Sequence, residues 1–166
     1  RHPQLGPISP LRFVKLAEET RQIGVLGRWV LKRACADAIA WPAHVGVAVN
    51  VSPLQLANGD FAGVVLDALE ETGLAHERLE LEITESVLLQ DRGDDLVALR
   101  KLRQSGVSIA LDDFGTGFAS MSYLKRLPIS SLKIDRSFVR DLVTDPDDAA
   151  IVAAITALAH SLKLKV

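Results

Sequence analysis

Four short stretches of the chain alternate between large aliphatic residues and small or polar ones, the period-2 signature of strands. They fall at 45–51, 79–84, 107–111 and 131–135. One face carries the aliphatics: Val45, Val47, Val49 and Val51; Leu79, Leu81 and Ile83; Val107, Ile109 and Leu111; Leu132 and Ile134. The other carries Gly46, Ala48 and Asn50; Glu80, Glu82 and Thr84; Ser108, Ala110 and Asp112; Ser131, Lys133 and Asp135. Between these stretches the apolar period lengthens to that of helices. Ser9-Pro10 opens the first helix, with Leu11, Val14, Leu16 and Ala17 at helical spacing. Gly24 interrupts, and a second helix carries Leu26, Trp29, Val30, Ala34, Ala38 and Ile39. Ser52-Pro53 starts a short helical turn. Asp60 caps a helix that Gly73 ends, and Gly106 stops another that begins near Asp94. A short helix is expected over 120–126, before the breaker Pro128, and Asp145-Pro146 opens the last one. Lys163-Leu164-Lys165 reads as a further strand beginning.

Strands and helices that alternate with short loops predict a parallel sheet with right-handed crossovers. A doubly wound sheet buries both faces under helices and is apolar on both. Here one face is aliphatic and the other small or polar, which favours an α/β barrel of the TIM type with its site at the C-terminal ends of the strands. Asn50, Glu82, Asp112, Asp113, Lys133 and Asp135 all fall at or near those ends.

The stretch Asp112-Asp113-Phe114-Gly115-Thr116-Gly117 concentrates the candidate chemistry. Neighbouring side chains of a strand point to opposite faces, so for both carboxylates to reach one site the strand must be ending where they appear. An acid pair there suits a divalent cation, a hard ion that takes oxygen ligands. Each residue also has a plain structural reading. The stretch could be a turn with an Asp cap, Asn50 could bond a loop, Glu82 could pair with Lys133, and Asp135 could cap a helix. Taken together, buried charges on four successive strands at one rim would be costly without a purpose. His2, His44, His76 and His160 are scattered and lack metal-ligand spacing. The Asp-Phe-Gly letters at 113–115 stand without the other kinase signatures.

Composition narrows the partners. With 19 basic and 21 acidic residues the net charge is −2, so no basic field exists to grip DNA through its phosphates. The apolar run at 149–159 is too short for the ~18 residues of a membrane span, and no signal peptide is expected. Cys35 is the sole cysteine. It permits no internal disulfide, suits a reducing compartment, and reads as core.

Several segments together resemble one family, the EAL domains that hydrolyse the bacterial messenger cyclic di-GMP. The matching pieces are His2-Pro3, Gly6-Pro7-Ile8-Ser9-Pro10, Ala17-Glu18-Glu19, Val49-Asn50-Val51-Ser52 with Gln55, Leu81-Glu82-Ile83-Thr84-Glu85-Ser86, the 112–117 stretch, and Leu127-Pro128 with Leu132-Lys133-Ile134-Asp135-Arg136-Ser137-Phe138-Val139. They run in the family's order along nearly the whole chain. The resemblance implies a TIM-like (β/α) barrel of the EAL type, two divalent metals (Mg²⁺ or Mn²⁺) and a linear pGpG product. By position, Asn50, Glu82, Asp112 and Asp113 match the metal ligands, and Lys133 the lysine at the attacking water. Glu85 matches the glutamate that steadies the loop after the aspartate pair, and Asp135 is an accessory beside the reaction centre. Gln55, Asp113 and Gly115 are the expected substrate contacts.

The family's naming Glu-Ala-Leu strand should lie just before Arg1, and an Ala-Glu-Gly-Val-Glu segment after Val166. Residues 1–166 are therefore expected to be a partial EAL domain, an incomplete barrel that does not turn over substrate by itself. Ser130 departs from the aspartate often found there. The resemblance further implies sensory or diguanylate cyclase domains alongside and a possible homodimer. The alternative function is a catalytically inactive receptor for cyclic di-GMP.

Overall fold

The computed structural model describes residues 2–57, 59–89, 93–117 and 121–166. Helices α1 (Pro10–Glu19) and α2 (Ile23–Ile39) precede strand β1 (Val47–Val51). Then come α3 (Pro53–Leu56), α4 (Phe61–Thr72), β2 (Leu79–Thr84), α5 (Gly93–Gln104), β3 (Ser108–Phe114), α6 (Met121–Leu124), β4 (Ser131–Ile134), α7 (Arg136–Arg140) and α8 (Pro146–Ser161). The break between the first two helices falls at 20–22, with Gly24 inside α2. Arg21 turns left-handed (φ 57°) and the Gln22 N–H returns to the Ala17 carbonyl at 2.7 Å, a helix end that needs no glycine. The predicted start of the short helix at Ser120 lies outside the described residues.

The four strands are parallel and stand in sequence order, β1-β2-β3-β4. With no reversal of order, right-handed crossovers carry the connecting helices α4 and α5 to the same side, where α2 and α8 also pack. That side is the core. Leu79, Leu81, Ile83, Ile109, Leu111 and Leu132 have no exposed surface and pack with Val65, Leu69, Leu99, Leu102, Cys35 and Ala159 of the helices. The other face is open, as the polar alternation predicts: Ala48 and Asn50 are exposed, and Glu80, Thr84, Ser108, Asp112, Ser131 and Lys133 are half-buried. A fifth strand begins at Lys165, which pairs parallel to Ser131 and accepts the Leu132 N–H at 2.9 Å. The architecture is α/β, a sector of a (β/α) barrel.

Local chemistry sets the element ends. Asp60 accepts the Gly63 N–H at 2.9 Å to start α4, and Gly73 (φ 73°) closes it. Arg78, just before β2, donates from Nη2 to the Ala38 carbonyl (2.6 Å) and from Nε to the Val45 carbonyl (3.0 Å). One guanidinium thereby satisfies the C-terminal end of α2 and fixes the entry to β1.

The largest departure from expectation is in β3. The strand does not end at Asp112 but runs on to Phe114 through a bulge. Leu111 pairs with Leu132 and Phe114 with Ile134, so three steps on β3 match two on β4. Asp113 is the extra residue and adopts a left-handed backbone (φ 55°). Both Leu111 and Phe114 therefore reach the helix side, where they are buried, and the two aspartates between them are left for the open side.

Candidate active site at the strand ends

The register aligns the candidate side chains in rows. Asn50 on β1 is the Cα partner of Glu82 on β2, which in turn faces Ala110 on β3. One step on, Thr84 stands beside Asp112. Glu82 is 8% exposed and its Oε1 holds the Lys133 ammonium in a close ion pair. Lys133 on β4 thus reaches across β3, where the small Ala110 is the strand neighbour of both Glu82 and Ser131. The same ammonium lies 3.5 Å from Glu80 Oε1, and Glu80 Oε2 accepts from the Ser131 hydroxyl at 3.2 Å. Glu80 and Ser131 were not among the residues expected to act. Their signal was present, since each sits two positions before a site residue on the same face.

The second group gathers around the bulge. Asp113, Asp135, Arg136, Ser137, Val139 and Arg140 line an open cavity of about 790 Å³. Asp135 caps α7, its Oδ1 accepting the Ser137 N–H at 2.8 Å and the Ser137 hydroxyl. Those two bonds hold the Asp135 carboxyl below its ordinary pKa. Asp113 moves the other way. Desolvation raises its carboxyl, and the charges of Asp112, Asp135 and Glu82 raise it further. Desolvation opposes the charge on Lys133, yet Glu82 and then Glu80 more than offset it, so its pKa lies above the ordinary value.

Glu85 opens the turn after β2. It is 8% exposed and accepts the Gly115 N–H on Oε1 at 2.9 Å. Gln55 is turned to the backbone: its Oε1 accepts the Ser52 N–H at 3.1 Å in a capping box for α3. The Ser52 hydroxyl donates to Glu18 at 2.6 Å. Gln55, Asn50, Ser52, Glu18 and Thr84 share a largely apolar cavity of about 770 Å³.

The fold thus brings Glu82 and Lys133 into contact, sets Asp113 facing Asp135, and ties Gly115 to Glu85. Asn50 is Glu82's strand neighbour, is exposed, and lines the largely apolar cavity with Gln55. Among the described residues no three His, Cys, Asp or Glu side chains converge closely enough to hold an ion. The donor set is nevertheless suited to a hard dication. It is oxygen only, it comes from adjacent strands, and desolvation together with mutual repulsion already raises Asp113.

A one-sided parallel sheet with an acidic C-terminal rim defines a sector of a TIM-like barrel. The chain belongs to the EAL domain family, whose family model matches residues 1–166. It is 47% identical over 169 residues to the bifunctional diguanylate cyclase/cyclic di-GMP phosphodiesterase MucR of Pseudomonas aeruginosa, covering 99% of this chain and 25% of MucR. The cyclic di-GMP phosphodiesterase NbdA of the same organism is 44% identical across 100% of this chain and 22% of NbdA. The solved structure of the MucR phosphodiesterase in complex with c-di-GMP matches with a TM-score of 0.91 at 47% identity, covering 98% of this chain and 68% of that one. The chain spans about a quarter of the length of these curated relatives.

Proposed function

We propose that residues 1–166 form the larger part of a phosphodiesterase domain that hydrolyses cyclic di-GMP to linear pGpG with the help of divalent metal. The observation that carries this reading is the match to the MucR phosphodiesterase bound to c-di-GMP, together with the rim residues. Asn50, Glu82, Asp112 and Asp113 are the residues that would hold Mg²⁺ or Mn²⁺. A bound dication supplies activation of water and charge neutralisation at the scissile phosphodiester. Lys133 contributes a fixed positive charge at the rim, where it orients the nucleophile and stabilises charge that builds up on the phosphate oxygens. Asp135 keeps its negative charge beside Asp113. Glu85 positions the loop that starts at Gly115, and Gln55, Asp113 and Gly115 contact the nucleotide.

Every matched motif position within 1–166 carries the acid, amide or lysine of an active domain, so an inactive receptor is not favoured. The reaction belongs to the bacterial cytoplasm in this reading, beside sensory or cyclase domains, with a homodimer as the proposed assembly. Among the described residues no helix is long and apolar enough to cross a membrane. The test uses the intact parent protein, incubated with cyclic di-GMP and Mg²⁺ or Mn²⁺, with pGpG resolved by chromatography. Cleavage that is lost in EDTA and in Asp112→Asn is expected. Tight binding of cyclic di-GMP with no pGpG under any metal would select the receptor instead.

A further inference from the structure

Lys133 and a cation at the rim compete for one carboxylate. The ammonium sits on Glu82 Oε1, and the Glu82 side chain is only 10% exposed. A divalent ion that takes Glu82 through Oε1 displaces the ammonium from that oxygen. A lysine left without a counter-charge beside a dication is repelled by it, and that repulsion weakens the hold on the ion. The structure provides a second seat. Glu80 lies on the same open face of β2, two residues before Glu82, with Oε1 3.5 Å from Lys133 Nζ. Its Oε2 accepts from Ser131 Oγ at 3.2 Å, which fixes the carboxylate. β3 separates Glu80 and Ser131, and only the small Ser108 and Ala110 side chains lie on that face of β3 between them, so nothing blocks the exchange.

We propose that Glu80, anchored by Ser131, is a positioning residue that receives the Lys133 ammonium when Glu82 binds a divalent cation. The proposal rests on the phosphodiesterase reading and adds to it a residue that acts only through Lys133. It differs from a plain electrostatic effect, in which Glu80 would favour any nearby cation whether or not Lys133 were present.

A double-mutant cycle in the intact parent protein separates these cases, with the Mn²⁺ dissociation constant read by titration calorimetry. Glu80→Gln keeps the shape and removes the charge. With Lys133 present it raises the Mn²⁺ Kd about 10-fold, the usual cost of losing an outer partner of a metal site. In a Lys133→Met background the same change shifts Kd by less than about 2-fold, the scatter expected of uncoupled sites. Ser131→Ala gives a smaller rise, again only with Lys133 present. Equal rises in both backgrounds, or no rise with Lys133 present, overturn the proposal. If Glu80→Gln does not fold, judged by its unfolding midpoint in EDTA, Ser131→Ala decides alone: no rise in Kd with Lys133 present is then fatal. A wild-type protein that binds Mn²⁺ and makes pGpG while the cycle is flat sinks only the role of Glu80. A wild-type protein that neither binds Mn²⁺ nor cleaves sinks the phosphodiesterase reading and this inference with it.

Discussion

Glu85 Oε1 accepts the N–H of Gly115 at 2.9 Å across thirty positions of sequence. The other oxygen, Oε2, is buried and has no hydrogen-bond partner among the described residues. A Cβ built on Gly117 would overlap that oxygen. The carboxylate is therefore clasped by the loop backbone on both sides, and its charge-assisted bond stabilises the start of the loop by about 1.5–3 kcal/mol. Glu85→Ala should speed hydrogen exchange at the Gly115 amide and lower turnover with metal affinity unchanged. Gly117→Ala should do the same by expelling Glu85. Wild-type exchange rates at Gly115 in both variants would remove the clasp from the account.

Asp113 carries two burdens that separate substitutions can tell apart. Its left-handed backbone (φ 55°) suits Asn and Gly better than Ala. Asp113→Ala should therefore be less stable than Asp113→Asn by about 1 kcal/mol in urea unfolding. The second burden is charge. The folded protein raises the Asp113 pKa, so ionisation is disfavoured in the fold. The penalty is absent below the ordinary carboxylate pKa, grows as pH rises towards the raised folded value, and is constant above it. In EDTA, the stability of Asp113→Asn relative to wild type should therefore increase with pH through that window. A difference that is flat with pH would refute the assignment.

Arg78 is a stability residue remote from the rim. Its bonds to the carbonyls of Ala38 and Val45 join α2 to the start of β1. Arg78→Met removes the charged donor from both carbonyls, leaving Ala38 with the Trp41 N–H at 3.1 Å, and should cost about 2–3 kcal/mol in urea unfolding. Arg78→Lys should recover only part, because an ammonium lacks the planar fork. Mn²⁺ affinity per folded molecule should stay at the wild-type value, and a weakened affinity would link Arg78 to the site.

Cys35 has no exposed surface, and burial raises its thiol pKa. A disulfide reagent should leave it unmodified in the native protein and label it fully in denaturant. Rapid native labelling would mean that the α2–α4 layer opens far more readily than its packing implies.

The β–α alternation and the two faces of the sheet were legible because period-2 patterning is local. Leu79, Leu81 and Ile83 announce their burial by spacing alone. The pairing of Glu82 with Lys133 was visible as one of two open readings, since both residues sit on the polar face. Asp135 as a helix cap was visible in the same way. The bulge was not, because it depends on how Phe114 finds Ile134 on another strand, and no pattern within β3 records that. Arg78 was invisible for a similar reason. Its partners lie at least thirty-three positions away, and an arginine before a strand looks like any solvated charge.

The bulge has a simple consequence for chain length. Remove Asp113 and Phe114 becomes the next residue after Asp112, still bound for the helix side, and the hydrogen-bond ladder with β4 closes without a gap. The scaffold would be intact and one acid poorer. In this sense Asp113 is a single-residue insertion that the architecture does not require, and what it adds is a second carboxylate beside the first.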